Sequence, residues 1–313
     1  MNKAQLAMKI NIDVFNLYDR ACKVYRNICA SETVKYILVQ GVEKALLGKE
    51  SISEEIFPAH GQGVDKAWLG KESISEEIFP AHGQGVDRTW LGKESVSEEV
   101  SPAHGQGVDK AWLSNAEYGH EMPPIAAEAV KILEKAEAGI VFANFGVENW
   151  NDELSPWSAD AVFKNQPFLG KAENTLSFVT DIFIPELISR YSLPADIKIV
   201  IGGYSLAGLF SLWAAYRTDI FHAVAAVSPS VWFPGWIEFA AEKHILADKV
   251  YLSLGNREKK TNNRTMARVG DNIRLQKELL DRQGIQSVLE WNEGNHFSAV
   301  EERTAKGFRW TIL

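Results

Sequence analysis

Three residues, Ser205, Glu258 and His296, have the types and the chain order for nucleophilic acyl chemistry. Ser205 stands in Gly202-Gly203-Tyr204-Ser205-Leu206-Ala207-Gly208, where the apolar run Ile199-Val200-Ile201 meets a helix-forming stretch. A serine on such a strand–turn–helix elbow is held above the sheet edge, and the tight turn demands small neighbours. The first N–H groups of the new helix then point at a reacting carbonyl. A serine hydroxyl is a poor nucleophile until a base takes its proton. A neutral histidine can do that, and a carboxylate fixes its tautomer and steadies the imidazolium. The elbow departs from the strict G-x-S-x-G spacing, with Ala207 in the last glycine position and Gly208 one later. A glycine-rich cluster between a strand and a helix is also compatible with a plain or phosphate-binding turn.

The base and the acid are chosen by context. Of seven histidines, His60, His82 and His104 are copies within a repeat, His222 opens a strand, and His120 and His244 lie among polar residues. His296 follows a strand, in Asn292-Glu293-Gly294-Asn295-His296-Phe297; its competing reading is a turn cap. Glu258 follows another strand in Asn256-Arg257-Glu258-Lys259-Lys260, a segment that otherwise reads as a solvated charged loop. Asp271 competes with it, but sits at a helix start, where capping explains an acidic residue. Functional groups gather at the carboxyl ends of strands in open parallel sheets, and these three follow successive expected strands in the order serine, acid, histidine.

The elements that must position these groups alternate. Strands are expected over 34–41, 139–146, 197–202, 222–228, 249–254 and 286–292. Helices are expected over 124–137, 173–191, 206–217, 234–243, 270–284 and 298–313, with Pro185 kinking or dividing the second and Gly284 stopping the fifth. A long loop with two tryptophans covers about 148–170. Alternating strands and helices imply an α/β fold, a mostly parallel sheet covered on both faces.

The 313 residues suffice for one large α/β domain, residues 1–313. A triple 22-residue tandem repeat interrupts it at 47–112: Leu47–Trp68, Leu69–Trp90 and Leu91–Trp112. Each copy centres on the turn signal Pro-Ala-His-Gly-Gln-Gly and lacks solenoid spacing, so the segment reads as a surface insertion. Its histidines have no fixed geometry or supporting shell, and no metal is expected. The net charge of −8 argues against nucleic acid or an anionic membrane as partner. Cys22 and Cys29 are too few for a disulfide scaffold or zinc site and fit reduced thiols in a cytoplasmic protein. No signal peptide is read at the N-terminus. The uncharged runs 199–216 and 220–237 hold the elbow and two prolines, respectively, and read as buried strand plus turn.

From about residue 139 onward the chain resembles the putative esterase family of the α/β-hydrolase superfamily, the group around enterochelin esterases and esterase D-like enzymes. The resemblance rests on Trp150-Asn-Asp-Glu-Leu-Ser-Pro-Trp157, the elbow, Ser228-Pro-Ser-Val-Trp232, Leu254-Gly-Asn-Arg-Glu-Lys-Lys260 and Gly294-Asn-His-Phe297. It implies a three-layer α/β-hydrolase-like sandwich with Ser205 as nucleophile, His296 as base and Glu258 as acid. It also implies an oxyanion hole from the Leu206 N–H and a backbone N–H near Gly41 or Val42. Tyr204 replaces a frequent histidine, and Asn256 stands where an aspartate is common. Tyr204, Trp150, Trp157 and Trp232 are candidate substrate contacts; for the tryptophans the alternative is ordinary core packing. The expected activity is hydrolysis of a small soluble carboxylic ester through an acyl-enzyme, without a cofactor. The alternatives are an acyltransferase using the same triad and a catalytically impaired binding protein. Oligomeric state is not indicated.

Overall fold

The computed structural model describes residues 9–28, 34–47, 124–133, 136, 138–162 and 166–313. The repeat from 48 onward, His120 and Cys29 lie outside the described residues.

The chain opens with a hairpin of β1 (Lys9–Leu17) and β2 (Arg20–Ile28), which turns at Tyr18 with φ 56°. Next come β3 (Val34–Glu43), α1 (Pro124–Leu133), β4 (Gly139–Val147) and the single-turn α2 (Trp150–Glu153). Two stub strands, β5 (Ser158–Ala159) and β6 (Phe168–Leu169), pair with each other inside the expected 148–170 loop. The chain continues with α3 (Ala172–Ser177), α4 (Ile184–Arg190), β7 (Lys198–Tyr204) and α5 (Leu206–Arg217). It finishes with β8 (Ala223–Val227), α6 (Trp236–Glu242), β9 (Lys249–Gly255), α7 (Val269–Arg282), β10 (Gln286–Asn292) and α8 (Val300–Thr311).

Eight strands form one sheet in the order β1-β2-β4-β3-β7-β8-β9-β10. From β4 to β10 all neighbours are parallel, and the β1–β2 hairpin adds an antiparallel edge. The parallel strands are apolar almost throughout because both faces are covered. Ile37, Val39, Ile199 and Ile201 pack with α3 to α7 on one face, while Leu38, Val200, Ile140 and Phe142 pack with α1 and α8 on the other.

The helix expected over 173–191 is divided into three: α3, a π-helical stretch Phe178–Phe183, and α4. Pro185 is the physical reason. It offers no N–H to the preceding turn and its ring crowds that turn, so the chain widens just ahead of it. The last helix starts at Val300 rather than 298, because Ala299 before it adopts φ 51°. Cys22 is a buried free thiol whose pKa burial pushes up to about 12. Among the described residues no helix is long and apolar enough to cross a membrane. The run 199–216 folds as β7 and α5, and 220–237 as β8 and the start of α6.

Candidate active site

The elbow follows β7 directly. Ser205 adopts φ 59° and ψ −121°, a conformation costly for a non-glycine residue. Backbone bonds hold it there: its N–H donates to Val227 O at 3.0 Å, and its carbonyl accepts from Leu209 N–H at 3.1 Å and Ser230 N–H at 3.0 Å. Ser205 occupies the N-cap of α5, yet its side chain makes no cap bond. The hydroxyl is turned instead toward His296.

The missing glycine at 207 has a steric explanation. A Cβ on Gly203 would lie 2.6 Å from Ala207 Cβ and 2.9 Å from the Ala207 carbonyl carbon, so 203 must be glycine, and with no side chain there Ala207 has room for its own Cβ. Gly208 supplies the second close approach, since a Cβ there would lie 2.9 Å from Gly203 O. Gly203→Ala is therefore expected to cost about 1–3 kcal/mol of stability. Adding Ala207→Gly should recover part of it, as urea midpoints of the single and double variants would show.

Three strand ends converge. His296 Nε2 lies 3.0 Å from Ser205 Oγ, and His296 Nδ1 lies 2.7 Å from Glu258 Oε2. Ser230 Oγ is 3.4 Å from Ser205 Oγ. Glu258 Oε1 accepts from Gly255 N–H at 2.6 Å, Ser228 Oγ–H at 2.7 Å and Arg303 Nη2 at 2.9 Å. The Glu258 side chain is only 4% exposed. Burial alone would raise its pKa, but the hydrogen bond and charge of His296, the Arg303 guanidinium and the Gly255 N–H outweigh it and bring it to about 2. The site thus presents a carboxylate ionised at neutral pH, an imidazole with Nδ1 toward that carboxylate, and a hydroxyl facing the other ring nitrogen.

Of the two acid candidates, the structure brings only Glu258 to His296. Asp271 is exposed in the first turn of α7 and pairs with Arg274 at 3.4 Å. The N-cap of α7 is Arg268, so Asp271 does not cap the helix. Gly41 and Val42 lie within β3, not after it: the strand runs on to Glu43, with Gly41 opposite Phe145 and Val42 opposite Gly146. The strand is longer than expected because its pairing with β4 continues after its pairing with β7 ends at Gln40 and Gly202. Leu206 opens α5, where a first-turn N–H has no partner within the helix.

Tyr204 sits beside the histidine as a brace. Its hydroxyl donates to His296 O at 2.7 Å, and burial raises its pKa, so it stays a neutral donor. Trp157 and Trp232 join an aromatic cluster with Phe168 and Phe233, and the Trp157 indole N–H donates to Pro234 O at 2.9 Å. Trp150, half-buried, packs against the main core. All three tryptophans thus pack against the core, Trp150 and Trp157 while remaining partly exposed. Phe297, 64% exposed, stands edge-on to the His296 ring with centroids 5.3 Å apart.

Sequence reasoning assigns no role to Arg303, Ser228 or Ser230. The two serines lie in the Ser-Pro-Ser stretch after β8, and the φ of 44° at Ser228 turns that loop toward the elbow. Asn256, at the position of the frequent aspartate, braces the histidine loop by accepting from Gly294 N–H at 3.2 Å.

A mostly parallel sheet with helices on both faces and a serine elbow after a central strand is an α/β-hydrolase-like fold. Residues 103–303 match the family described as Putative esterase, and the chain belongs to that family. It is a carboxylic ester hydrolase. No curated protein matches it in sequence. Solved structures with a similar fold include Siderophore hydrolase EstA from Aspergillus nidulans, at 13% identity and TM-score 0.52, covering 99% of this chain and 95% of that one. An IroE-like serine hydrolase from Shewanella oneidensis aligns at 12% identity and TM-score 0.54, covering 97% and 79%. Enterobactin hydrolase IroE in complex with DFP aligns at 11% identity and TM-score 0.51, covering 99% and 96%.

Proposed function

We propose that the protein hydrolyses a small carboxylic ester through an acyl-enzyme, with Ser205 as nucleophile, His296 as general base and Glu258 as the orienting acid. The observation that carries this reading is the continuous relay from Glu258 Oε2 through His296 to Ser205 Oγ, at 2.7 and 3.0 Å. Nδ1–H donates to the carboxylate, which leaves Nε2 free to accept the serine proton. As Ser205 Oγ bonds to the ester carbon, that proton passes to Nε2 and the carbonyl oxygen becomes an oxyanion. The Leu206 N–H and a backbone N–H near the end of β3 receive it, each such donor contributing about 3–4 kcal/mol. The tetrahedral intermediate collapses, Nε2–H protonates the departing alcohol, and the acyl group stays on Ser205. Water, deprotonated by the same nitrogen, then releases the carboxylic acid. Glu258 remains a carboxylate throughout and steadies the imidazolium formed at each stage.

The direct test is a fluorophosphonate probe followed by peptide mass spectrometry. A single adduct on Ser205, blocked by prior incubation with a hydrolysable ester, is expected. Labelling elsewhere, or none, would remove the nucleophile assignment.

A further inference from the structure

Arg303 is a charged side chain only 3% exposed, on the last helix, two turns of chain beyond the loop that carries His296 and far in sequence from Ser205 and Glu258. Its contacts divide by nitrogen. Nη2 donates to Glu258 Oε1 at 2.9 Å and to the Ser228 hydroxyl oxygen. Nη1 donates to the carbonyls of Asn295 at 3.3 Å and Ser298 at 3.4 Å, on either side of His296 in the chain. The guanidinium carbon also sits 5.4 Å from the centre of the Tyr204 ring, whose hydroxyl holds the His296 carbonyl. Every contact therefore leads to the acid, to the loop bearing the base, or to the residue before the nucleophile.

We infer that Arg303 is the positioning residue of this site, a buried clamp that fixes the Glu258 carboxylate and the His296 loop relative to each other. The inference rests on the triad reading above. Only a planar fork with donors in fixed, divergent directions can hold two loops at once; an ammonium offers one compact charge. With Oε1 held by Arg303, Ser228 and the Gly255 N–H, Oε2 is the oxygen left for His296 Nδ1. The carboxylate cannot rotate without breaking three bonds.

The clamp also acts through charge. A fixed cation beside the carboxylate draws on its negative charge, so the Glu258–His296 pair holds a shared proton less tightly. A scaffolding role for stability alone explains the site poorly. Arg303 Nε is buried with no hydrogen-bond partner among the described residues, and a buried ion pair is commonly no more stabilising than apolar packing of equal volume.

The test uses the full chain and begins with probe labelling of the unmodified protein. If that protein does not label at Ser205, the triad reading itself fails. If it does, steady-state kinetics and pH profiles of Arg303→Met, Arg303→Lys and Ser228→Ala decide the present inference. For folded R303M, kcat should fall about 100-fold, since a misplacement of about 1 Å carries that penalty, with KM nearly unchanged. The acidic limb of its kcat/KM profile should move to higher pH. R303K restores the charge without the fork, so its limb should return toward the original pH while kcat recovers only in part. A folded R303M with unaltered kcat and pH profile overturns the inference. So do equal losses in R303M and R303K with an unmoved limb, the signature of a merely structural residue. Should R303M fail to fold, R303K and S228A decide. S228A removes one donor to Oε1 and keeps the cation, so kcat should fall several-fold with the limb in place. Full kcat in both of those variants would overturn the clamp.

Discussion

Ser205→Ala is expected to lower kcat/KM for p-nitrophenyl acetate by about 10⁴–10⁶-fold and to leave the fold intact. The loss is large because no other group on the relay replaces the nucleophile. The Ser230 hydroxyl is 3.4 Å from Ser205 Oγ but has no histidine contact of its own among the described residues. His296→Ala should cost nearly as much, and the double variant hardly more than either single one, since the residues act as one unit. Stability should respond differently. Alanine at 205 keeps the strained φ of 59°, so S205A should melt close to the parent, whereas Ser205→Gly relieves that strain and should be more stable by about 1–2 kcal/mol. Glu258→Gln would be a poorer probe, because it leaves the Arg303 guanidinium buried opposite a neutral amide. Differential scanning calorimetry beside the esterase assay separates these effects. Turnover surviving in S205A would refute the nucleophile assignment, and a collapse of the fold would leave the glycine variant to decide it.

Much of this architecture is legible in the chain because parallel strands covered on both faces must be apolar without interruption. Gly139–Val147 and Ala223–Val227 announce themselves in that way. The elbow is legible because tight approach excludes side chains, and Gly203 and Gly208 sit where the backbone passes closest. The β1–β2 hairpin carries a weaker signal: Ile10, Ile12 and Val14 alternate with polar residues, a period of two that a resemblance confined to later residues does not reach. Arg303 carries no signal at all. In Val300–Thr311 it reads as one more charge on an amphipathic helix. It is buried only because Gly307, one turn further along, lets α8 press against Val227 and Tyr251. Tyr204 and the tryptophans are ambiguous for the converse reason: an aromatic side chain near a serine elbow fits a pocket and a core equally well by type. Their hydrogen bonds and packing depend on tertiary placement. Asp271 likewise shows itself as a surface residue only in the fold, exposed and paired with Arg274.

A second carboxylate, outside the site, should dominate the pH dependence of stability. Glu128 on α1 is 5% exposed, and its Oε1 has no hydrogen-bond partner. Three further buried oxygens nearby in the sheet share that condition: Tyr25 Oη, Gln40 Oε1 and Asn144 Oδ1, the last two on residues paired across β3 and β4. Burial raises the Glu128 pKa to about 8; the Gln40 hydrogen bond lowers it, Glu301 raises it and Lys131 lowers it. The sign follows from linkage. A carboxyl whose folded pKa lies above its ordinary 4.5 favours the fold while protonated. Its contribution is complete below about pH 4.5 and is lost as pH rises through about 8, at a slope of roughly 1 kcal/mol per pH unit. Glu258 behaves oppositely: its depressed pKa, about 2, contributes stability above 4.5 that disappears only in strong acid. The two together place the stability maximum near pH 5. Glu128→Gln keeps the shape, cannot ionise and brings an N–H₂ donor to a neighbourhood of unpartnered oxygens. It should flatten the decline between pH 5 and 8 and raise the melting temperature most at pH 8. Melting curves of the parent and E128Q that run parallel across that range would show that Glu128 is ionised in the folded protein and that the cluster beneath α1 is already satisfied.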